Sequence, residues 1–318
     1  MFFSRSFLLF LGLLATVEGS QYRNTGVATF GRRVFARPRL PTPSTALTPP
    51  LSIRGGAGLD PANVGKAFAV AYLIQGSLFY LLPQQQAKLY GWLDPSSPSI
   101  PIEYLTQVLG AILLGTGVVS AYMQFVPDST VNTGLGYGAL TFVPLYLIWL
   151  VTGQSAQAGM PRTTDIFMGL ANAVGAGAGL TNQDWTPQYF AVFITLFTLS
   201  ALQTIVAPQA SGDAWGMKRE DTPEKNDRFL LLAQGFGHFL LGLEMHSALL
   251  LKGVEPAQAI ALASVSGWLH FVDALLVRKK AVTIAKPPGY LFWMLYFSAS
   301  IPFIVLLGEK TVDTILEE

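Results

Sequence analysis

The chain of 318 residues contains no cysteine. Disulfides, thiolate chemistry and Cys-ligated zinc or iron–sulfur sites are thereby excluded. Charge is scarce: 12% of residues are Asp, Glu, Lys or Arg, about half the usual share of a soluble domain. The net charge of +1 leaves no basic surplus for nucleic acid. No Gly-rich phosphate loop, no His-Glu-x-x-His and no nucleophile elbow is present, which argues against an ATPase, a zinc protease and a hydrolase. Hydrophobic residues make up 51% and mean hydropathy is +0.43. That is the composition of a membrane protein, and too apolar for a disordered chain.

Residues 1–19 read as a signal peptide. Arg5 precedes a run from Phe7 to Ala15 that is too short to span a bilayer. Residues 20–58 differ. They hold six arginines, no Asp or Glu, frequent Ser and Thr, and five prolines. An Arg-rich, acid-free segment has transit-peptide composition. The two joined segments, with Ser52-Ile-Arg-Gly-Gly56 near their end, resemble the bipartite presequences of algae with secondary plastids, such as diatoms. The resemblance implies entry through the secretory pathway and residence in a plastid membrane, thylakoid or envelope. Such presequences usually carry an aromatic residue at the cleavage site; here the nearest is Tyr22. Without residues 1–58 the chain has 13 Lys and Arg against 18 Asp and Glu, a net charge of −5.

From residue 59 onward eight apolar runs follow, at about 67–82, 102–125, 137–151, 164–180, 190–206, 229–251, 257–277 and 289–307. The expected fold is all-α, a polytopic bundle of about eight transmembrane helices, with the lipid bilayer as its main partner. Ten Lys and Arg lie in the loops after runs one, three, five and seven, against three on the other side. The first set is therefore expected on the cytoplasm-equivalent face, the stroma in a plastid. Gly and Ala are dense within the runs, as at Gly110, Gly115 and Gly117, which lets helix backbones approach.

An offset of 125 organises these runs. It relates Leu82-Pro83-Gln84 to Ala207-Pro208-Gln209, Tyr90-Gly91 to Trp215-Gly216, Gly110 to Gly235, Gly117 to Gly242 and Phe167 to Phe292. The expectation is two parallel four-helix repeats, 59–184 and 185–318, related by an axis along the membrane normal. The layout is vaguely similar to small four-helix DoxX-like membrane proteins, without a diagnostic motif, so the resemblance assigns no residue.

All three histidines lie in runs six and seven: His238, His246 and His270, joined by Glu244 and Asp273. Their positions in the first half hold Leu113, Ala121, Leu145, Val119 and Ile148, so the fold of one half does not require them. Ionisable residues inside a membrane are functional candidates. His238 and His270 fall at similar depth, and Asp273 lies three residues beyond His270. Three readings stay open. His238, His270 and Asp273 form an acid–base relay acting on a lipophilic substrate. Alternatively, His238 and His270 are axial ligands of a haem or hold a chlorophyll magnesium. Or the histidines are interhelical hydrogen-bonding glue.

Gln234 and Glu244 are candidate ligand-binding residues. Glu244 lies about 120° around the helix from His238, so the two are not expected to share a compact site. Glu244 and His246 are expected to reach the interface with their polar tips. Gln75, Gln107 and Asn172 are expected to hydrogen-bond between helices, and the mixed-charge stretch 213–228 to form a solvated cap. The implied function is a membrane protein with an intramembrane polar pocket for a lipophilic ligand: pigment, isoprenoid, quinone or lipid. A proton-coupled transporter, or a structural subunit of a photosynthetic complex, is the alternative.

Overall fold

The computed structural model describes residues 61–277 and 287–307. The two presequence segments, the basic residues Arg278, Lys279, Lys280, Lys286 and Lys310, and the C-terminal tail lie outside the described residues. Among the described residues the fold is all helix, without strands. The helices are α1 (Pro61–Leu81), α2 (Pro83–Leu89), α3 (Ile100–Phe125), α4 (Val131–Leu140), α5 (Phe142–Thr152), α6 (Gln154–Ala158) and α7 (Arg162–Leu180). They continue with α8 (Thr186–Val206), α9 (Pro208–Trp215), α10 (Pro223–Leu251), α11 (Pro256–Val272) and α12 (Pro287–Leu307).

Local chemistry sets these boundaries. Ser99, Thr130, Thr222 and Glu255 each accept a hydrogen bond from a first-turn backbone N–H, at 3.2, 3.3, 3.3 and 3.1 Å. Proline stands in the first turn of α2, α3, α8, α9, α10 and α11, where its missing N–H costs nothing. The third apolar run is two helices meeting at Thr141. Pro144 cannot donate to the carbonyl of Leu140, and the helix is interrupted there. The seventh run ends in a π turn, Asp273–Val277, directly after α11.

Five segments are long and apolar enough to cross a membrane: α1, α3, α4 with α5, α8, and α11 with its π turn. Their outer faces carry large apolar side chains. Leu147, Ile148 and Val151 on α5, and Leu199, Leu202 and Val206 on α8, are exposed. Apolar residues exposed along whole helices need hydrocarbon, not water, around them. These features point to a helical membrane protein.

Glycine governs the closest packing. A Cβ on Gly76 would lie 2.3 Å from the Leu114 nitrogen, and one on Gly110 2.4 Å from the Tyr80 nitrogen, so α1 and α3 touch backbone to backbone. Gly136 and Gly179 do the same for α4 and α7. α1 packs on α3 as α8 packs on α10, and α3 and α10 meet at the centre. α1 also packs on α11 and α12, and α8 on α4 and α7. The starts of α8, α9, α11 and α12 each follow those of α1, α2, α4 and α7 by 125 residues. Two positive-φ turns share that spacing, Gly91 with Gly216 and Asp128 with Gly253.

The loops after α1, α5 and α8 meet at one end of the bundle. Arg228 donates to the Gly91 carbonyl, Ser99 to Glu220, and the Lys218 N–H to the Ala158 carbonyl at 2.9 Å. Within this cap Arg219 pairs with Asp213 at 2.5 Å and Lys225 with Asp221 at 3.0 Å, so the mixed-charge stretch is partly self-paired. At the other end the Asn132 amide donates to Asn182 at 2.9 Å, joining the helix starts and turns there.

Candidate functional site

His238 comes from α10 and His270 from the last turn of α11. Their rings lie 5.7 Å apart, centroid to centroid, tilted by 39°. His238 is half-buried, and its Nδ1 lies 3.3 Å from the Ser266 hydroxyl on α11. His270 is buried and sits over Gly235, where a Cβ would lie 2.9 Å from its Nε2. Glycine at 235 therefore makes room for the imidazole, whereas glycine at 110 in the first half makes room for another helix's backbone.

A cavity of about 460 Å³ opens beside His270. Its wall is almost wholly apolar and aromatic, including Phe79, Trp92, Phe271, Trp293 and Phe297. Three aromatic hydroxyls brace it. Trp92 Nε1 donates to the Tyr290 hydroxyl at 2.7 Å, Trp293 Nε1 to Tyr90 at 2.8 Å, and Tyr72 shares a 3.0 Å hydrogen bond with Ser264. The Tyr290 ring packs 5.8 Å from His270. Gln75 on α1 also lines the cavity, and among the described residues its Nε2 has no hydrogen-bond partner. That departs from the expected interhelical bond and leaves a buried donor beside the imidazole. Gln107 does what was expected: it accepts from Trp149 Nε1 at 2.9 Å and donates to the Tyr80 carbonyl at 3.1 Å, joining three helices. Asn172 instead donates to the Met168 carbonyl of its own helix at 2.9 Å.

Asp273 is half-buried and opens the π turn, three residues after His270. π turns are wider than α turns and are frequent at functional sites. Gln234 is buried on α10, beside Gly235 but outside the lining of this cavity. Glu244 lines a different cavity, of about 750 Å³, which His238 and His270 do not border. The expectation that Glu244 and His246 reach the interface is corrected: Glu244 is only 7% exposed and His246 is 0% exposed. Both face inward because α10 lies between α3, α8 and α11 and has little outer surface. Among the described residues neither ring nitrogen of His246 has a hydrogen-bond partner, and no three His, Asp or Glu side chains converge to hold a metal ion.

Sequence reasoning missed two features. Tyr90 and Trp92 line the aromatic end of the histidine cavity, with Tyr290 packed against both; the Tyr90-Gly91 pair was the only visible sign. Asp165, fully buried in the first turn of α7, accepts from the Ser155 hydroxyl. Its position in the second half holds Tyr290, a phenol in place of a carboxylate. Comparison with protein-family models, curated proteins and solved structures finds no match.

Proposed function

We propose that the protein binds a lipophilic small molecule inside the membrane, in the aromatic cavity beside His270. The observation that carries this reading is the buried His270, its ring 5.7 Å from that of His238, in the wall of an aromatic cavity. An apolar lining with few polar groups is the pattern of small-molecule pockets. The imidazole and the Gln75 amide supply the polar contacts; the aromatic wall supplies the hydrophobic ones. A pigment, isoprenoid, quinone or lipid fits this chemistry. His238, His270 and Asp273 would act as the acid–base relay if the ligand is a substrate.

A haem held between the two histidines fits less well. Two axial ligands would both have to reach the cavity, and of the two histidines only His270 borders it. Single ligation of a chlorophyll magnesium by one histidine makes no such demand. The transporter reading calls for helix interruptions at corresponding places in both halves. The interruption at Thr141 corresponds to position 266, whereas the π turn begins at Asp273. This mismatch favours a binding or catalytic pocket.

The same proposal includes eight spans in two parallel repeats. The helix starts spaced by 125 residues, and the loops after α1, α5 and α8 meeting at one end, both support it. α7, α10 and α12, of 19, 29 and 21 residues, then complete the crossings. A plastid membrane as the location, reached through the secretory pathway, rests on residues 1–58, and a photosynthetic complex as partner rests on that location.

The test is to extract the full-length protein in mild detergent and identify co-purifying lipophilic molecules by absorbance and mass spectrometry. A stoichiometric ligand is expected, and His270→Leu should remove it. Recovery of the same ligand in equal amount from a folded His270→Leu protein would defeat the proposal.

A further inference from the structure

The second cavity has a different chemistry. It lies between α3, α4, α5, α7, α8 and α10, with an empty volume of about 750 Å³. Its wall is dominated by phenylalanine, with Phe190, Phe193 and Phe197 on α8 and Phe142 and Phe236 opposite. Glu244 stands in this wall, 7% exposed. Among the described residues no group hydrogen-bonds its carboxyl, and no Lys, Arg or His lines the cavity.

A buried carboxyl without a partner is costly, and such groups ordinarily find a hydrogen bond or an opposite charge. The other polar groups at hand do not supply one. Ser247 spends its hydroxyl proton on the Leu243 carbonyl at 3.0 Å, and Asn172 donates to Met168. Both then offer oxygen lone pairs to the cavity, as does Glu244. The donors left in the wall, the Tyr146 hydroxyl and the second N–H of Asn172, do not hydrogen-bond Glu244, so its carboxyl faces the cavity without a partner among the described residues.

We propose that this cavity binds an amphiphile whose head donates hydrogen bonds, an alcohol or an amine, with Glu244 receiving the head and the phenylalanines enclosing the hydrocarbon body. An amine would also supply the missing positive charge, and aromatic faces attract such a cation. An alcohol would satisfy the carboxyl in either protonation state. The site is independent of His270: the two cavities share no lining residue. Val119, the position corresponding to Glu244 in the first half, lies in the same wall, so the cavity tolerates an apolar side chain there.

The experiment uses full-length protein in phospholipid nanodiscs. Three photoreactive probes of equal chain length are added: an alcohol, the matching amine and the matching alkane. Cross-linked peptides are read by mass spectrometry. Alcohol, amine or both should label peptides from α7, α8 or α10, and Glu244→Leu should reduce that labelling by about tenfold or more, as loss of a hydrogen bond to a charged group implies. Glu244→Gln should retain the alcohol and lose the amine, which identifies the head. His270→Leu should leave the labelling unchanged, so this proposal and the histidine pocket fail separately. As a second measurement, a hydrophobic carbodiimide should modify Glu244 in the wild-type protein, and the effective amphiphile should slow that reaction about tenfold. Equal labelling by the alkane, unchanged labelling in Glu244→Leu, or no protection from the carbodiimide would each overturn the proposal.

Discussion

Gly110 and Gly235 occupy corresponding places in the sequence but face different neighbours, and adding one methyl to each should separate structure from site. At Gly110 a Cβ would stand 2.4 Å from the Tyr80 nitrogen and 2.6 Å from the Phe79 carbonyl carbon. Both are backbone atoms and cannot rotate away. α1 must retreat by about 1 Å to reach ordinary contact at 3.4 Å or more. A gap of 0.5–1 Å forfeits about a quarter to a half of each dispersion contact, and the loss spreads along the seam to Gly76 and Gly117. Overpacking costs about 1–3 kcal/mol, here at the upper end, while replacing a helical glycine by alanine returns about 1 kcal/mol. Gly110→Ala should therefore destabilise by about 2 kcal/mol. At Gly235 the Cβ would meet the tip of the His270 ring, 2.9 Å away. The ring can turn, so the net change in stability should stay within about 1 kcal/mol, but His270 is displaced towards Tyr290 and ligand recovery should fall. Stability is read by reversible denaturation in mixed micelles, ligand content by mass spectrometry of the same samples. If Gly110→Ala is as stable as wild type, or if both variants lose stability equally, the account of backbone contact between α1 and α3 is wrong.

Four further outcomes are expected. His238→Leu should fold, because Leu113 holds that position in the first half, and should cost about 1 kcal/mol or less if the Ser266 contact is the only loss; circular dichroism and ligand recovery together check this. Protease added from the face bearing the 213–228 loop, in sealed vesicles, should cleave that loop and spare the C-terminal tail, and a cleaved tail would mean an odd number of crossings. Burial raises the carboxyl pKa of Glu220 in the loop cap, partly offset by the Ser99 hydroxyl; the folded protein then holds this proton more tightly than the unfolded chain, so stability should fall as pH rises from the ordinary glutamate value to the raised one, and Glu220→Gln should flatten that slope in a pH series of melting curves. A fluorescent fusion to residues 1–58 should enter the plastid of an alga with a secondary plastid, while residues 1–19 alone should stop in the secretory pathway, as microscopy would show.

Much of the fold was readable because membrane helices advertise themselves by length and hydropathy. The run starting near 102 became α3, and the short first run extended back to Pro61. The interruption at Thr141 was hidden, since a proline such as Pro144 also occurs within continuous membrane helices. The pairing of His238 with His270 was legible through depth: adjacent helices with a short connection place residues near the same end at the same level. Glu244 and His246 were misjudged because helical periodicity gives an angle around one helix, but not which angle is covered by neighbours. α10 is surrounded, and only the packing of α3, α8 and α11 around it reveals that. The aromatic end of the histidine cavity was unreadable for a related reason, since Trp92 and Tyr290 are 198 residues apart.

That last separation bears on how the protein is made. α1 is the first of the described helices to leave the ribosome, yet Tyr72 shares its hydrogen bond with Ser264, 192 residues later, and Phe68 stacks on Phe297 at 5.9 Å. Until α11 and α12 are synthesised, one flank of α1 stays uncovered and must be held by lipid or an insertion factor. The glycine seam with α3 is available much sooner, so the nascent chain secures one side of α1 while the other waits. Completion of the histidine cavity is therefore among the last events of assembly, and a chain truncated before Pro287 would present an inserted bundle with that cavity open to the bilayer.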